Sequence, residues 1–251
     1  MLAGIDLDLL TAVLLVVGGF LAGFINAVAG GGSAITLPIL NELLGASVAN
    51  GTNRIAILLQ NVSGVTRFQR SGKVPWGAIR PLFLPTIVGA VAGAWLATRL
   101  DDAAMERVFG VVVLLVALSV IVKPARWAGD GVERLREPWR FIVFLGIGLY
   151  GGFVQAGVGF LLIAALVVFG GMDLVNGNAA KLALIASYTV LALGTFIWAG
   201  QVHYLAGLVL AVGNMSGAWV AAHVAVEKGA GWIRWVLVVA AVGAAIRMLF
   251  L

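Results

Sequence analysis

The sequence predicts an all-α polytopic membrane protein built from two five-segment repeats of inverted orientation, with about eight full transmembrane helices and two short broken or re-entrant ones. Three observations carry this. Of 251 residues, 62% are hydrophobic and only 11% are charged, with a mean hydropathy of +1.08. A soluble core of this length does not need that much apolar surface. Two of the apolar runs are too short to cross a bilayer. Each of them follows a glycine-rich break, at Gly30-Gly31-Gly32 and about 129 residues later around Gly157 and Gly159.

The elements follow in order. Apolar runs punctuated by charge, Gly or Pro place a first segment over 9–29 and a short piece over 33–44. Full spans are expected over 51–69, 76–98 and 104–122. After a hydrophilic loop come 139–156, a short piece over 160–169, and then 177–199, 204–226 and 231–250. The first run is preceded by Asp6 and Asp8 with no Lys or Arg, the wrong charge for a signal peptide, so it is expected to stay as a helix. In lipid the backbone must satisfy its own hydrogen bonds, so unwound chain at depth survives only beside protein or a polar cavity.

The formal charge is +5. The basic residues gather in loops and form no basic face, which argues for membrane topology and against nucleic acid. Arg67, Arg70, Lys73 and Arg80 mark one cytoplasmic turn, and Lys123, Arg126, Arg134, Arg136 and Arg140 mark another. Asp101-Asp102 and the acidic N-terminus then fall outside the bacterial inner membrane. The chain divides into a first repeat over 1–122, a cytoplasmic loop over 123–138 and a second repeat over 139–251. There is no cysteine, so disulfides and thiolate metal sites are excluded. No cofactor or metal is called for.

Three anchors recur in the same order. Gly23-Phe24-Ile25-Asn26-Ala27 matches Gly152-Phe153-Val154-Gln155-Ala156, and Gly72-Lys73-Val74-Pro75-Trp76 matches Gly200-Gln201-Val202-His203-Tyr204. Gly89, Gly93, Ala94 and Trp95 match Gly213, Gly217, Ala218 and Trp219. The offsets drift from 129 through 128 to 124, as small insertions would produce. An odd number of segments per copy makes the copies antiparallel. The third anchor spaces glycine at i and i+4, which lets membrane helices pack closely inside one subunit; a hinge or a homodimer face is the alternative.

At this point the chain resembles the TauE/SafE family of small bacterial membrane proteins, the sulfite exporter and sulfonate permease group. The resemblance rests on the run from Gly23 through Asn26, Gly30, Gly31, Gly32 and Ser33 to Pro38, on Ala49-Asn50-Gly51-Thr52-Asn53, and on the second copy from Gly151 to Gly159. It covers nearly the whole chain. It implies transport, with export favoured, of small sulfur-containing anions such as sulfite or organosulfonates. One departure is that Phe160 and Leu161 stand where the first copy has Gly31 and Gly32, so a milder second break is expected.

The candidate substrate ligands cluster at the breaks. Helix N-termini present free N–H groups and partial positive charge, so short helices starting at Ser33 and Phe160 would aim two anion sites inward, with Gly30, Gly31, Gly32, Gly157 and Gly159 giving access. The competing reading is a glycine kink that only allows tight packing. Arg54 and Lys181 match across the repeat at an offset of 127, and seven residues on the same face carries Asn61 and Tyr188. Each cation either grips an oxyanion or snorkels to headgroups; Arg54 is the stronger candidate because a guanidinium binds two oxygens. Asn26 and Gln155 correspond, one turn before each break, either as interhelical glue or as donors to substrate. Thr52, Asn53, Asn178, Asn214 and Ser216 are weaker candidates. His203 and His223 are expected to be interfacial or packed, and the eight tryptophans to mark helix ends.

The alternative function is a transporter or channel for another small solute or a cation. It would want carboxylates at span centres, whereas Glu42 and Asp173 fall near turns. No Ser–His pair, metal-ligand spacing or paired carboxylates lie within spans, so an intramembrane enzyme is not expected.

Overall fold

The computed structural model describes residues 8–28, 30–121 and 134–250, and their side chains apart from 113–121 and 229–250. Among the described residues the regular structure is helical. In order these are α1 (Leu9–Val28), α2 (Ser33–Leu44), α3 (Ala46–Arg70), α4 (Trp76–Ala97), α5 (Asp102–Ile121), α6 (Trp139–Phe153), α7 (Val158–Ile163), α8 (Leu174–Trp198) and α9 (Tyr204–Phe250). α7 continues as wider π-helical turns over Ala164–Phe169.

Helices α3 and α8 are the inner pair. They pack on each other, α3 also along α9 and α8 along α4, while α1 lies along α9 and α4 along α6. The polarity is inside-out relative to a soluble bundle. Asn50, Asn53, Arg54, Gln60 and Asn61 of α3, and Asn178, Lys181 and Thr189 of α8, are buried. The outer faces expose Leu10, Val13, Leu14 and Val17 of α1, Leu84 and Val88 of α4, Val190 and Leu191 of α8, and Leu205, Leu208 and Val212 of α9. Such a coat is stable against lipid and not against water. Four described stretches are long and apolar enough to cross, Leu9–Val28, Trp76–Ala97, Leu174–Trp198 and Tyr204–Lys228. The chain is a polytopic membrane protein.

The outer helices meet through glycine. A Cβ on Gly93 of α4 would lie 1.9 Å from the Leu149 carbonyl oxygen of α6, and one on Gly217 of α9 would lie 2.1 Å from the Phe20 carbonyl oxygen of α1. The third sequence anchor is therefore spent on packing within the chain, where close backbone approach substitutes for the missing hydrophobic drive.

Several expected boundaries move. The span expected to begin at Gly51 begins at Ala46: Ser47 and Asn50 look like loop residues, but Asp102 Oδ1 accepts the Ser47 N–H at 2.8 Å and Asn50 Nδ2 donates to the Phe153 carbonyl at 2.8 Å. The span expected from 177 starts at Leu174, capped by Asp173, which accepts from Val175 and Asn176 at 2.9 and 3.0 Å. The two segments expected over 204–226 and 231–250 are one helix, α9. Nothing at Glu227-Lys228-Gly229 stops it, since Glu and Lys are strong helix formers and one glycine costs only about 1 kcal/mol. At 1.5 Å per residue α9 is roughly 70 Å long, far more than one crossing needs.

Of the basic loop residues, Lys123 and Arg126 lie outside the described residues. Arg134, expected to act only as a topology signal, has a second role. Its main-chain N–H donates to the Phe169 carbonyl at 2.8 Å and its Nη1 to the Val168 carbonyl at 3.0 Å, closing the π-helical turns.

Candidate functional site

Both expected breaks are present. The first opens after Val28, with Gly30 at φ +95° and α2 starting at Ser33. The second runs from Val154 to Gly157, and its helix restarts at Val158 rather than at Phe160. It is not the milder of the two: Gln155 (φ 71°) and Gly157 (φ 74°) both adopt the left-handed conformation. For Gln155, a non-glycine residue, that conformation is uncommon and has to be held by its surroundings. Gln155 thus lies within its break, whereas Asn26 lies in α1 ahead of the other one.

A helix that stops inside the protein leaves carbonyls without partners and a negative dipole end. At α1 these are met by Lys181. Its Nζ donates to the main-chain oxygens of Asn26 and Ala27 at 3.0 and 3.1 Å, and to Asn178 Oδ1 at 2.8 Å. Three acceptors match the three N–H bonds of an ammonium group. At α6 the carbonyls are met by Arg54. Its Nη1 donates to the Gly151 oxygen at 3.1 Å and to Gln155 Oε1 at 2.7 Å, and its Nη2 donates to the Gly152 oxygen. Asn50 Oδ1 accepts from Nη2 at 3.4 Å, and the guanidinium carbon stands 4.6 Å from the centre of the Phe196 ring.

The cations are exchanged. α3 supplies the one that closes α6, and α8 supplies the one that closes α1. Both are fully buried, so neither snorkels. Among the described residues no carboxylate is buried with them. The breaks themselves touch, because a Cβ on Gly31 would lie 2.9 Å from the Phe160 ring and one on Gly30 would lie 2.3 Å from Gly159 Cα. Neither short helix has a side-chain cap at its N-terminus.

The remaining candidates divide. Tyr188 reaches the Arg54 group, its hydroxyl 2.6 Å from where a Cβ on Gly151 would stand, and this hydroxyl has no hydrogen-bond partner. Ser33 and Asn53 belong to a separate link between α2 and α3, in which Thr36 Oγ1 donates to Asn53 Oδ1 at 2.8 Å and Asn53 Nδ2 to Ser33 Oγ at 3.4 Å. Thr52 stands apart and accepts the His203 N–H at 2.8 Å at the start of α9. His203 Nδ1 in turn accepts the Ala206 N–H at 3.2 Å, and His223 joins Arg67 (3.1 Å) and Glu227 (3.0 Å), so both imidazoles serve structure. Sequence reasoning missed Asn50 and Gln60. Asn50 was detectable as a polar residue four before Arg54, hence on the same helix face.

No solved structure matches this chain. It is 32% identical over 238 residues to "Probable membrane transporter protein ORF9" of Sinorhizobium, covering 94% of this chain and 91% of that one. It is 28% identical over 233 residues to "Probable membrane transporter protein YfcA" of Escherichia coli K12, covering 92% and 86%. A "Probable membrane transporter protein" of Haemophilus influenzae is 27% identical over 237 residues, covering 94% and 92%. The family model described as sulfite exporter TauE/SafE matches residues 15–248, and with two internal helix breaks closed by buried cations, this chain belongs to that family of membrane transporters.

Proposed function

We propose that this protein moves small sulfur-containing anions, such as sulfite or organosulfonates, out across the bacterial inner membrane. The observation that carries the reading is electrostatic. Arg54 and Lys181 are buried at the two breaks, and no carboxylate is buried among the described residues. A buried charge is expensive unless it is paired. Each cation offsets the partial negative end of one helix, about half a charge, which leaves the interior net positive. The N-terminus of α2, which has no side-chain cap, adds to that sign. An anion completes this interior, whereas a cation would be repelled.

On this reading the two halves, α1–α5 and α6–α9, are inverted copies that differ in the undivided α9, and the substrate binds where the breaks meet, near Asn26, Gly31, Gly32, Gln155, Gly157 and Tyr188. Arg54 and Lys181 each bridge the two halves, so rocking of one half against the other has to loosen them. That is the alternating-access scheme expected of inverted repeats. The loop over 123–140 faces the cytoplasm. The test is flux into proteoliposomes with a panel of sulfite, sulfate, taurine, sulfoacetate and sodium ion. Uptake of sulfite or an organosulfonate without sodium movement is expected. Sodium flux alone, or no anion flux, would overturn the proposal.

A further inference from the structure

Three carboxamides meet between α1, α3 and α9. The Nδ2 groups of Asn26 and Asn214 both donate to Gln60 Oε1, at 3.2 and 3.3 Å. All three side chains are buried, Gln60 and Asn214 completely. Because both incoming donors fall on one oxygen, Gln60 Nε2 and Asn214 Oδ1 have no partner. Turning all three amides over does not remove the surplus. Gln60 would then donate to two oxygens, and its own oxygen and the Asn214 nitrogen would be left over. The triad therefore keeps one buried donor and one buried acceptor unpaired under either assignment.

Single unpartnered amide oxygens occur elsewhere, at Asn61 and Gln201, but here one triad leaves both a donor and an acceptor over, which most buried amides do not. The remainder calls for a group that accepts from one amide and donates to its neighbour, which is an O–H. A fully deprotonated oxyanion satisfies the donor but turns a lone pair toward the amide oxygen. Charge is supplied next to the triad, where Lys181 Nζ lies 3.0 Å from the Asn26 main-chain oxygen. Asn178, whose Oδ1 accepts from the same Lys181 at 2.8 Å, keeps a further buried donor, Nδ2, without a partner. The second break has no counterpart. Gln155 Oε1 accepts from Arg54 at 2.7 Å and its Nε2 reaches Thr189 Oγ1 at 3.5 Å, while the residue matching Asn214 is the apolar Ala90.

Resting on the anion-transport reading above, we infer that Asn26, Gln60 and Asn214 form a substrate subsite beside Lys181 that takes a hydrogen-bearing monoanion. Its O–H donates to an amide oxygen, and its charged oxygens accept from the amide N–H groups of Gln60 and Asn178. Lys181 and Arg54 are the only buried charged side chains among the described residues, and methanesulfonate, which does not titrate, separates a change in their charge from the substrate's own protonation.

The test uses the full chain in proteoliposomes, with sulfite and methanesulfonate as probes. Sulfite gains an O–H below its second ionisation; methanesulfonate stays ionised and carries none. For the wild type, KM in total sulfite is expected to rise steadily with pH above that ionisation, and KM for methanesulfonate to be flat and about tenfold or more higher, since a site built to bond an O–H rejects an analogue lacking it. Gln60→Met, close in volume, is expected to raise the sulfite KM about tenfold and to erase the preference over methanesulfonate. Should that variant fail to insert, Asn214→Leu gives the same readout. An unchanged KM in the inserted variant, or equal wild-type transport of both anions, overturns the subsite, leaves anion transport standing, and means that the triad holds helices or a water only. A wild type that carries neither anion overturns the transport reading itself.

Discussion

Gly30 and Gly159 lie backbone against backbone: a Cβ on either would stand 2.3 Å from the Cα of the other. This is where the two breaks cross, and neither chain can retreat without moving its helix. Gly159 is helical and tolerates alanine conformationally, so Gly159→Ala tests the contact alone. It is expected to cost about 2 kcal/mol or more by overpacking and to reduce flux strongly. A wild-type unfolding midpoint in detergent, with wild-type flux, would show that the breaks do not depend on each other.

At Gly31 the obstacle is softer. A Cβ there meets only the edge of the Phe160 ring, at 2.9 Å. Gly31→Leu is expected to abolish transport while the protein still reaches the membrane. Adding Phe160→Ala should restore part of it, giving a coupling energy of about 1 kcal/mol or more in a double-mutant cycle read from unfolding midpoints. Strict additivity would mean that the two residues act separately.

The two exchanged cations differ in what they have left to offer. All three N–H bonds of Lys181 are taken by protein acceptors, whereas Arg54 keeps an Nε with no partner. Arg54→Gln is therefore expected to raise the KM for a transported anion more than Lys181→Gln does. Lys181→Gln should raise that KM less and should also lower stability by about 3 kcal/mol, as the carbonyls of Asn26 and Ala27 lose their donor. Measuring anion KM and unfolding midpoint for both variants checks this; equal, small effects on both quantities would refute it.

Asp102 is a cap that reaches across helices: its Oδ1 accepts the Ser47 N–H at 2.8 Å, tying the start of α3 to α5. Asp102→Ala is expected to lower stability by about 1 kcal/mol, as loss of a helix N-cap does, with anion KM unchanged. Thermal unfolding and sulfite flux on the same preparation decide the point.

Much of this was legible in one dimension. The short helix over 33–44 was readable to the residue, because three glycines precede it and Gly45 follows, and glycine is the residue that permits such turns. The matching positions of Arg54 and Lys181 were also visible, as was the family to which the glycine pattern points. The early start of α3 was not, since Ser47 and Asn50 become helical and buried only because Asp102 and the Phe153 carbonyl receive them. Gln155 in a left-handed conformation was equally hidden, because the arginine that holds it lies 101 residues away in the chain.

The amino-acid sequence by itself determined the solvent this chain belongs in, the two glycine-rich regions where its inner helices break and the sign of the charge placed beside them, because composition, glycine and cation placement act locally. Only the tertiary structure decided which cation closes which helix, that the second break is as sharp as the first, and that three amides come together with a donor and an acceptor to spare. Those outcomes depend on which helices lie side by side, and hydrogen-bond partners 34 to 155 residues apart are chosen by packing, not by anything periodic in the chain.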